Sequence, residues 1–216
     1  MNSAARSVEN SVANSVANSA AGSAAATREP EAASEDIAKL FGRIITGVYV
    51  IGVTQGDRRD AFTASSLIQI SYSPLLILLG VNPNHRPYSL LGDGSAFAVS
   101  VLKEDQLATA RHFGPHANGH ADKLSRYVWR TGVTGAPILE DAIAYFECVT
   151  TGDMPAGDHR IILGKVVAGG VLDADGATML YSQTDNMDGS RALYPTSFET
   201  VPSSPDLFSR APAPAR

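Results

Sequence analysis

The stretch "DAFTASSLIQISYSPLLILLGVNPNHRPY", residues 60–88, places an apolar run between two polar clusters. The apolar part, "PLLILLGV", is continuous and is bounded by Pro74 and Asn82, which predicts a strand covered on both faces. The hydroxyl cluster "TASS" precedes this strand, and the polar turn "NPNHR" follows it. This order fits a strand edge that holds a polar, anionic ligand, and it also fits an ordinary loop.

Further strands are predicted on both sides of this stretch. "VYVIGV" and "SAFAVSVL" have the content of buried strands, while "AIAYFECVTTGDM", "HRIILGKVVAGGVLD" and "TMLYSQ" are separated by the turns "PAGD" and "ADGA". Short turns rich in Gly and Asp indicate antiparallel pairing. Ser34 and the apolar spacing after it predict a short helix, and "KEDQLATARHFG" predicts another. About six or seven strands with two or three short helices favour a small β-barrel.

Length and composition indicate one domain with low-complexity ends. The chain has 216 residues, of which 44% are hydrophobic, enough for one sizeable core. Residues 1–34 contain "SVENSVANSVANSAAGSAAA", which has too few large apolar residues to fold and predicts a disordered tail; an Ala-rich helix is the weaker alternative. We therefore expect a domain over residues 35–200 and a flexible C-terminal tail over residues 201–216.

Charge and cysteine content exclude several classes of protein. The formal net charge of -5 is spread without basic blocks, which argues against binding to nucleic acid. Cys148 is the single cysteine, so no intramolecular disulfide can form and the cytoplasm is the default compartment. No apolar run approaches the roughly 20 residues that span a bilayer, and the N-terminus lacks the apolar region of a signal peptide. We expect small molecules or proteins as partners.

The polar clusters and histidines are the candidate sites, each with an ordinary alternative. Hydroxyls such as those of "TASS" can bond the edge of a planar heterocycle or a phosphate, and the turn from Asn82 to Arg86 suits an anion. His159 opens a strand and could bind a ligand or move a proton, or it could simply pair with Asp158. Each cluster alone is equally well a solvated turn.

Two further features predict no chemistry. The three histidines of "RHFGPHANGHADK" are four residues apart, but the glycines and proline between them break any helix that would place them on one face. We therefore expect no metal site. Cys148 alternates with strand neighbours in "YFECVT", which favours a buried small apolar residue over a nucleophile.

Taken in order, the motifs resemble one known family. The segments "FTASS", "VNPNHR", "FAVSVLKEDQLATARHFG", "DKL" and "GDHRIILG" together resemble the flavin reductase domain of two-component monooxygenases, over residues 37–173. The resemblance implies a mainly β fold, a Greek-key-like antiparallel split β-barrel with a few short helices. It also implies a homodimer that binds FMN or FAD at the subunit interface.

The resemblance assigns roles to individual residues. It places Thr63, Ala64, Ser65 and Ser66 along the isoalloxazine ring and ribityl chain of the flavin. The remaining roles follow in the same way: Asn82 and Arg86 near the ribityl phosphate, Lys123 as a second phosphate cation, and His159 where nicotinamide docks.

This chain departs from the family pattern at two places. The family usually has small hydroxyl residues before the arginine of the phosphate turn, where this chain has "VNPNHR". After the last strand the family has an Arg-Gly-Arg-Tyr type stretch, and this chain has "MLYSQTDNMDGSRALYPTSF", in which Arg191 and Tyr194 are candidate substitutes.

The activity implied by the resemblance is that of an NAD(P)H:flavin oxidoreductase. Such an enzyme takes hydride from NADH or NADPH and releases reduced FMN or FAD, which diffuses to a separate monooxygenase. Two alternatives stay open: a flavin carrier or sensor without reductase turnover, and an enzyme that uses its bound flavin directly on an organic substrate.

Overall fold

The protein is described by a computed structural model, which covers residues 34–114 and 122–199. Its main element is one antiparallel sheet of seven strands in the order β2-β1-β5-β8-β9-β4-β3. These strands are β1 Tyr49–Gln55, β2 Arg58–Ala64, β3 Leu67–Tyr72, β4 Leu75–Val81, β5 Ala96–Val101, β8 Ala144–Ala156 and β9 His159–Val171. A two-stranded sheet pairs β6 Trp129–Thr131 with β7 Pro137–Leu139.

Two short α-helices accompany the sheets. The helix α1, Ser34–Phe41, begins at the predicted serine, and α2, Leu107–Phe113, ends before Gly114 as predicted. Four short 3-10 helices are found at Arg86–Leu90, Lys123–Arg126, Tyr181–Gln183 and Ser190–Leu193. No helix within the described part of the chain is long and apolar enough to cross a bilayer.

The connection between β2 and β3 positions the later site. These strands follow each other in the chain, yet they lie at opposite edges of the seven-stranded sheet. Ser65 and Ser66 form the whole link, and the Ser66 carbonyl accepts a hydrogen bond of 2.7 Å from the amide of Gly80 on β4. The sheet is thus left open between its edges, in agreement with the predicted mainly β split barrel.

The core lies on both faces of β1. Ile51 and Val53 pack into one cluster with Phe97 and Leu79, while Val50 faces a second cluster that includes Phe113 of α2. All six of these apolar side chains are almost completely buried. Covering both faces explains why the central strands are continuous apolar runs rather than alternating ones.

The structure corrects the predicted strand at "TMLYSQ". Only isolated bridges form there, Lys103 with Thr178 and Gly47 with Leu180, and a 3-10 helix follows over Tyr181–Gln183. The Gln183 side chain accepts a hydrogen bond of 2.7 Å from the Leu180 amide. This local bond replaces a ladder bond, which is why the apolar pattern did not produce a strand.

The strands also differ in number and length from the prediction. The hairpin β6–β7 was not predicted, because three-residue strands carry too little periodicity. A buried carboxylate holds its loop: Glu147 is 1% exposed and accepts hydrogen bonds from the amides of Val133 and Thr134 at 3.1 and 2.9 Å. The two tails expected at residues 1–34 and 201–216 lie outside the described residues, apart from Ser34 at the start of α1.

Candidate active site

A cavity of about 840 Å³ opens where the sheet is left unpaired between β2 and β3. Segments that are far apart in the chain form its walls: the end of α1, the link after β2, the end of β4, the start of β9 and the segment after residue 180. The polar residues of the wall are Thr46, Thr63, Ser65, Ser66, Asn82, His85, Asp158, His159, Tyr181, Asp188, Ser190 and Tyr194. The cavity is large enough for a cofactor of several rings.

Thr63, Ala64, Ser65 and Ser66 all line this cavity. The Thr63 hydroxyl donates to the carbonyl of Ala110 on α2 at 2.7 Å, so it is left as an acceptor toward the cavity. The hydroxyls of the two serines have no hydrogen-bond partner among the described residues. They are therefore available as donors to a ligand.

Asn82 and Gly80 form the neighbouring wall at the end of β4. The Asn82 side-chain oxygen accepts from the Asn84 amide at 2.9 Å and closes the turn, which leaves its NH₂ group to donate elsewhere. A Cβ on Gly80 would lie 3.0 Å from the Cβ of Ser66. Glycine at this position therefore permits the link after β2 to approach β4 closely.

The two predicted cations do not line the cavity but lie beside it. Arg86 pairs with Asp60 at 2.6 Å, and the Asp60 side chain is only 8% exposed. Lys123 is half-buried, and its ammonium donates to the carbonyls of Phe113 and Gly114 at 3.2 and 3.3 Å. Burial lowers the pKa of Lys123, with nearby Asp60 opposing this effect and Arg86 adding to it. The three charged groups thus form one cluster.

Two histidines of the cavity wall connect this charged cluster to the cavity, because His85 lies close to both Lys123 and His159. The Nδ1 of His159 donates a hydrogen bond of 2.9 Å to the Asp158 carboxylate, and this bond lowers the pKa of Asp158. His85 lines the cavity beside Arg86 in the chain. Burial lowers the pKa of His85, and the charges of Lys123 and His159 lower it further.

The segment after residue 180 forms the opposite wall. The Tyr181 hydroxyl lies 2.9 Å from an Asp188 oxygen and 2.6 Å from the Ser190 hydroxyl. Burial and nearby Asp188 raise the pKa of Tyr181 to about 12, against the effect of the Ser190 bond. Tyr194 also lines the cavity, with its ring 5.4 Å from that of Phe41.

Several of these groups were not identified from the sequence. The Asp60–Arg86 pair, Tyr181 and Asp188 carry no local signal, because only the folded chain brings them together. Arg191, the other candidate substitute, does not line the cavity. Within residues 34–114 and 122–199 no group of three or more metal-binding side chains occurs. Two of the three histidines considered above, His116 and His120, lie outside those residues.

Two curated protein sequences are similar to this chain over most of its length. The NADH-dependent FMN reductase AsuE2 of Streptomyces nodosus subsp. asukaensis is 29% identical over 158 residues, which are 71% of this chain and 84% of that protein. A putative diflavin flavoprotein A 1 of Nostoc sp. is 32% identical over 155 residues, or 71% of this chain. This chain spans only 27% of the length of that diflavin relative.

Solved structures agree in fold and sequence. The NADH:FAD oxidoreductase SgcE6 of Streptomyces globisporus C-1027 superposes with a TM-score of 0.62 at 33% identity, covering 69% of this chain and 88% of that one. BorF, the flavin reductase component of a bacterial two-component tryptophan halogenase, gives a TM-score of 0.62 at 33% identity over 70% of this chain and 94% of its own.

The family model for the flavin reductase like domain matches residues 41–190. This range contains the whole main sheet and most of the cavity wall, together with Arg86 and Lys123 beside the cavity. The protein belongs to the flavin reductase-like domain family.

Proposed function

We propose that this protein is an NAD(P)H-dependent flavin reductase that supplies reduced FMN or FAD to a separate monooxygenase. The observation that carries this proposal is the convergence of Ser65, Ser66, Asn82 and His159 on one cavity, with two cations beside it. Such a reaction requires three things of the protein. These are hydrogen-bond donors for a heterocycle, cations for a phosphate, and a histidine on a third wall.

The residues present fit a flavin. The close approach of the Ser65–Ser66 link to Gly80 creates a narrow wall with unpartnered hydroxyls, which suits the polar edge of a planar ring. We assign Ser65, Ser66 and the Asn82 amide to that edge and to the ribityl chain. We assign Arg86 and Lys123, which lie beside the cavity, to provide positive charge for the phosphate.

The work of the protein is positioning and electrostatic stabilisation. Bound flavin supplies the hydride chemistry by taking hydride from NAD(P)H. The donors on the link after β2 stabilise negative charge on the ring edge that they contact. His159, oriented by its bond to Asp158, would position the nicotinamide against the flavin for hydride transfer.

The relatives support the choice of cofactors and partner. The two named reductases use NADH, one with FMN and the other with FAD. BorF belongs to a two-component system, which supports a partner that receives reduced flavin. For this chain FMN and FAD both remain candidate cofactors, and NADH and NADPH both remain candidate donors.

We also propose a homodimer in the cytoplasm. The edge strand β3 exposes Ile68 and Ile70 at 60% and 47%, and Tyr72 at 89%. Unpartnered apolar side chains on a sheet edge favour burial against a second copy. The single cysteine supports the compartment, because no disulfide requires oxidising conditions.

The direct test is NADH and NADPH oxidation by the purified protein with and without free FMN or FAD. A reductase consumes the pyridine nucleotide only when flavin is added, and it then supports an oxygenase separated from it by a dialysis membrane. Stable flavin binding without NAD(P)H consumption would instead indicate a carrier or sensor. Turnover of an organic substrate with flavin that never leaves the protein would indicate the third alternative.

A further inference from the structure

His85 lies in the turn between β4 and β5, next to Arg86 in the chain. Its ring lines the cavity and packs edge-on against Phe62, with the ring centres 6.1 Å apart. Neither of its ring nitrogens has a hydrogen-bond partner within residues 34–114 and 122–199. A half-buried imidazole with both nitrogens available is a ready ligand for a polar group in the cavity.

The charges around His85 come from three other elements. Lys123 lies on the 3-10 helix after α2, His159 begins β9, and Asp60 on β2 pairs with Arg86, the next residue in the chain. Asp60 offsets the charge of one of the two permanent cations. The cluster therefore provides about one net positive charge for a phosphate that carries close to two negative charges at neutral pH.

We propose that His85 is a ligand of the flavin phosphate and becomes protonated when that phosphate binds. The inference rests on the proposed function, because it requires a phosphorylated flavin in this cavity. The missing positive charge is supplied by a proton taken from solvent onto the imidazole. The phosphate thus has a ligand whose charge depends on pH.

The direction of the pH effect follows from the charges. In the free protein the pKa of His85 lies below its ordinary value of 6.5, so the ring is neutral at neutral pH. A neighbouring dianion favours the charged ring and raises this pKa in the complex. The affinity for FMN is thus greatest below the pKa of His85 in the free protein. It falls as pH rises from that pKa to the pKa of His85 in the complex, and it levels off above the second value.

Other titrating groups can be separated from His85. The second ionisation of the phosphate, near pH 6, adds negative charge as pH rises and so acts in the opposite direction. Deprotonation of Lys123, whose pKa is lowered, would also weaken binding at high pH, and His159 lies close enough to influence the pKa of His85. Both of these groups remain when His85 alone is replaced.

The experiment is titration calorimetry of FMN and riboflavin into the dimer at about pH 7.5, in HEPES and in Tris. These buffers differ in ionisation enthalpy, so the difference in heat gives the number of protons taken up. We expect uptake approaching one proton with FMN, none with riboflavin, and none with FMN in H85Q. The dissociation constant of FMN should rise by more than about tenfold from pH 6.5 to 8.5 in the native protein and by much less in H85Q.

Variants H85Q and H85K serve as a matched pair. The permanent charge of H85K should keep FMN affinity at high pH without proton uptake. The inference is overturned if FMN binds without proton uptake, if riboflavin gives the same uptake, or if uptake persists in H85Q. Failure of both ligands to bind would overturn the proposed function as well, whereas equal behaviour of the two ligands would overturn only the role of His85.

Discussion

Asp60 and Arg86 form an ion pair of 2.6 Å beside the cavity. Asp60 starts the stretch with which the sequence analysis began, and Arg86 lies near its end. The second Asp60 oxygen accepts from the amide of Ala61 at 2.8 Å, so the carboxylate has a defined orientation. The buried carboxylate of Asp60 therefore holds the guanidinium of Arg86 beside the site and reduces the net positive charge of the site.

Arg86→Gln should weaken FMN binding about tenfold and leave riboflavin unchanged, because only FMN carries the phosphate. The loss has two sources: a cation is removed, and Asp60 is left as an unpaired charge near the ligand. The double variant D60N/R86Q should therefore bind FMN better than R86Q. Fluorescence titration of both flavins measures these constants, and equal losses for FMN and riboflavin would contradict the assignment.

Ser65→Ala and Ser66→Ala should each weaken FMN and riboflavin equally, by about three- to tenfold, since one hydrogen bond to the ring or ribityl chain is lost. Thr151→Ala is the matched control, because its exposed hydroxyl bonds the Leu163 carbonyl at 3.3 Å outside the cavity wall. If the serine variants bind both flavins as tightly as the control does, these hydroxyls do not contact the ligand.

His159→Gln should raise the KM for NADH about tenfold while the flavin dissociation constant changes less than twofold. The reason is that His159 is assigned to the nicotinamide and lies on a different wall from the serine link. Steady-state kinetics with saturating flavin, together with direct flavin titration, separates the two effects. A large loss of flavin affinity with an unchanged KM would move His159 to the flavin site.

Tyr181→Phe should lower the free energy of unfolding by about 1 to 2 kcal/mol, because its bonds to Asp188 and Ser190 are lost while the ring is kept. Tyr145→Phe is the control: its ring faces Arg130 at 4.8 Å, a contact that phenylalanine retains. Urea unfolding measures both variants. Equal stability of the two would show that the hydroxyl cluster contributes nothing to this wall.

Ile70→Glu on β3 should convert a dimer into a monomer, because a charge on an apolar sheet edge opposes burial against a second copy. Val133→Glu carries the same change on an exposed loop, where the native side chain is 77% exposed, and should leave the assembly unchanged. Sedimentation velocity distinguishes the two. A dimer that survives Ile70→Glu would place the interface on another surface.

The pattern of apolar residues predicted much of the fold, because strands with both faces covered are continuous apolar runs. "PLLILLGV" and "VYVIGV" became β4 and β1, and the capping pattern at Ser34 located α1. Tertiary context overrode the pattern at "TMLYSQ", where the Gln183 side chain bonds the backbone locally. The hairpin β6–β7 was missed because its strands are too short to show a period.

For the site, the sequence by itself determined which residue types were available and the order in which they occur along the chain. Ser65, Asn82 and His159 could be recognised in this way, because their motifs are local. Only the tertiary structure decided that they share a cavity, that Asp60 pairs with Arg86, and that His85 lies near Lys123. Such relationships depend on pairing between strands distant in the chain, and no local pattern of residues encodes the distance between two side chains.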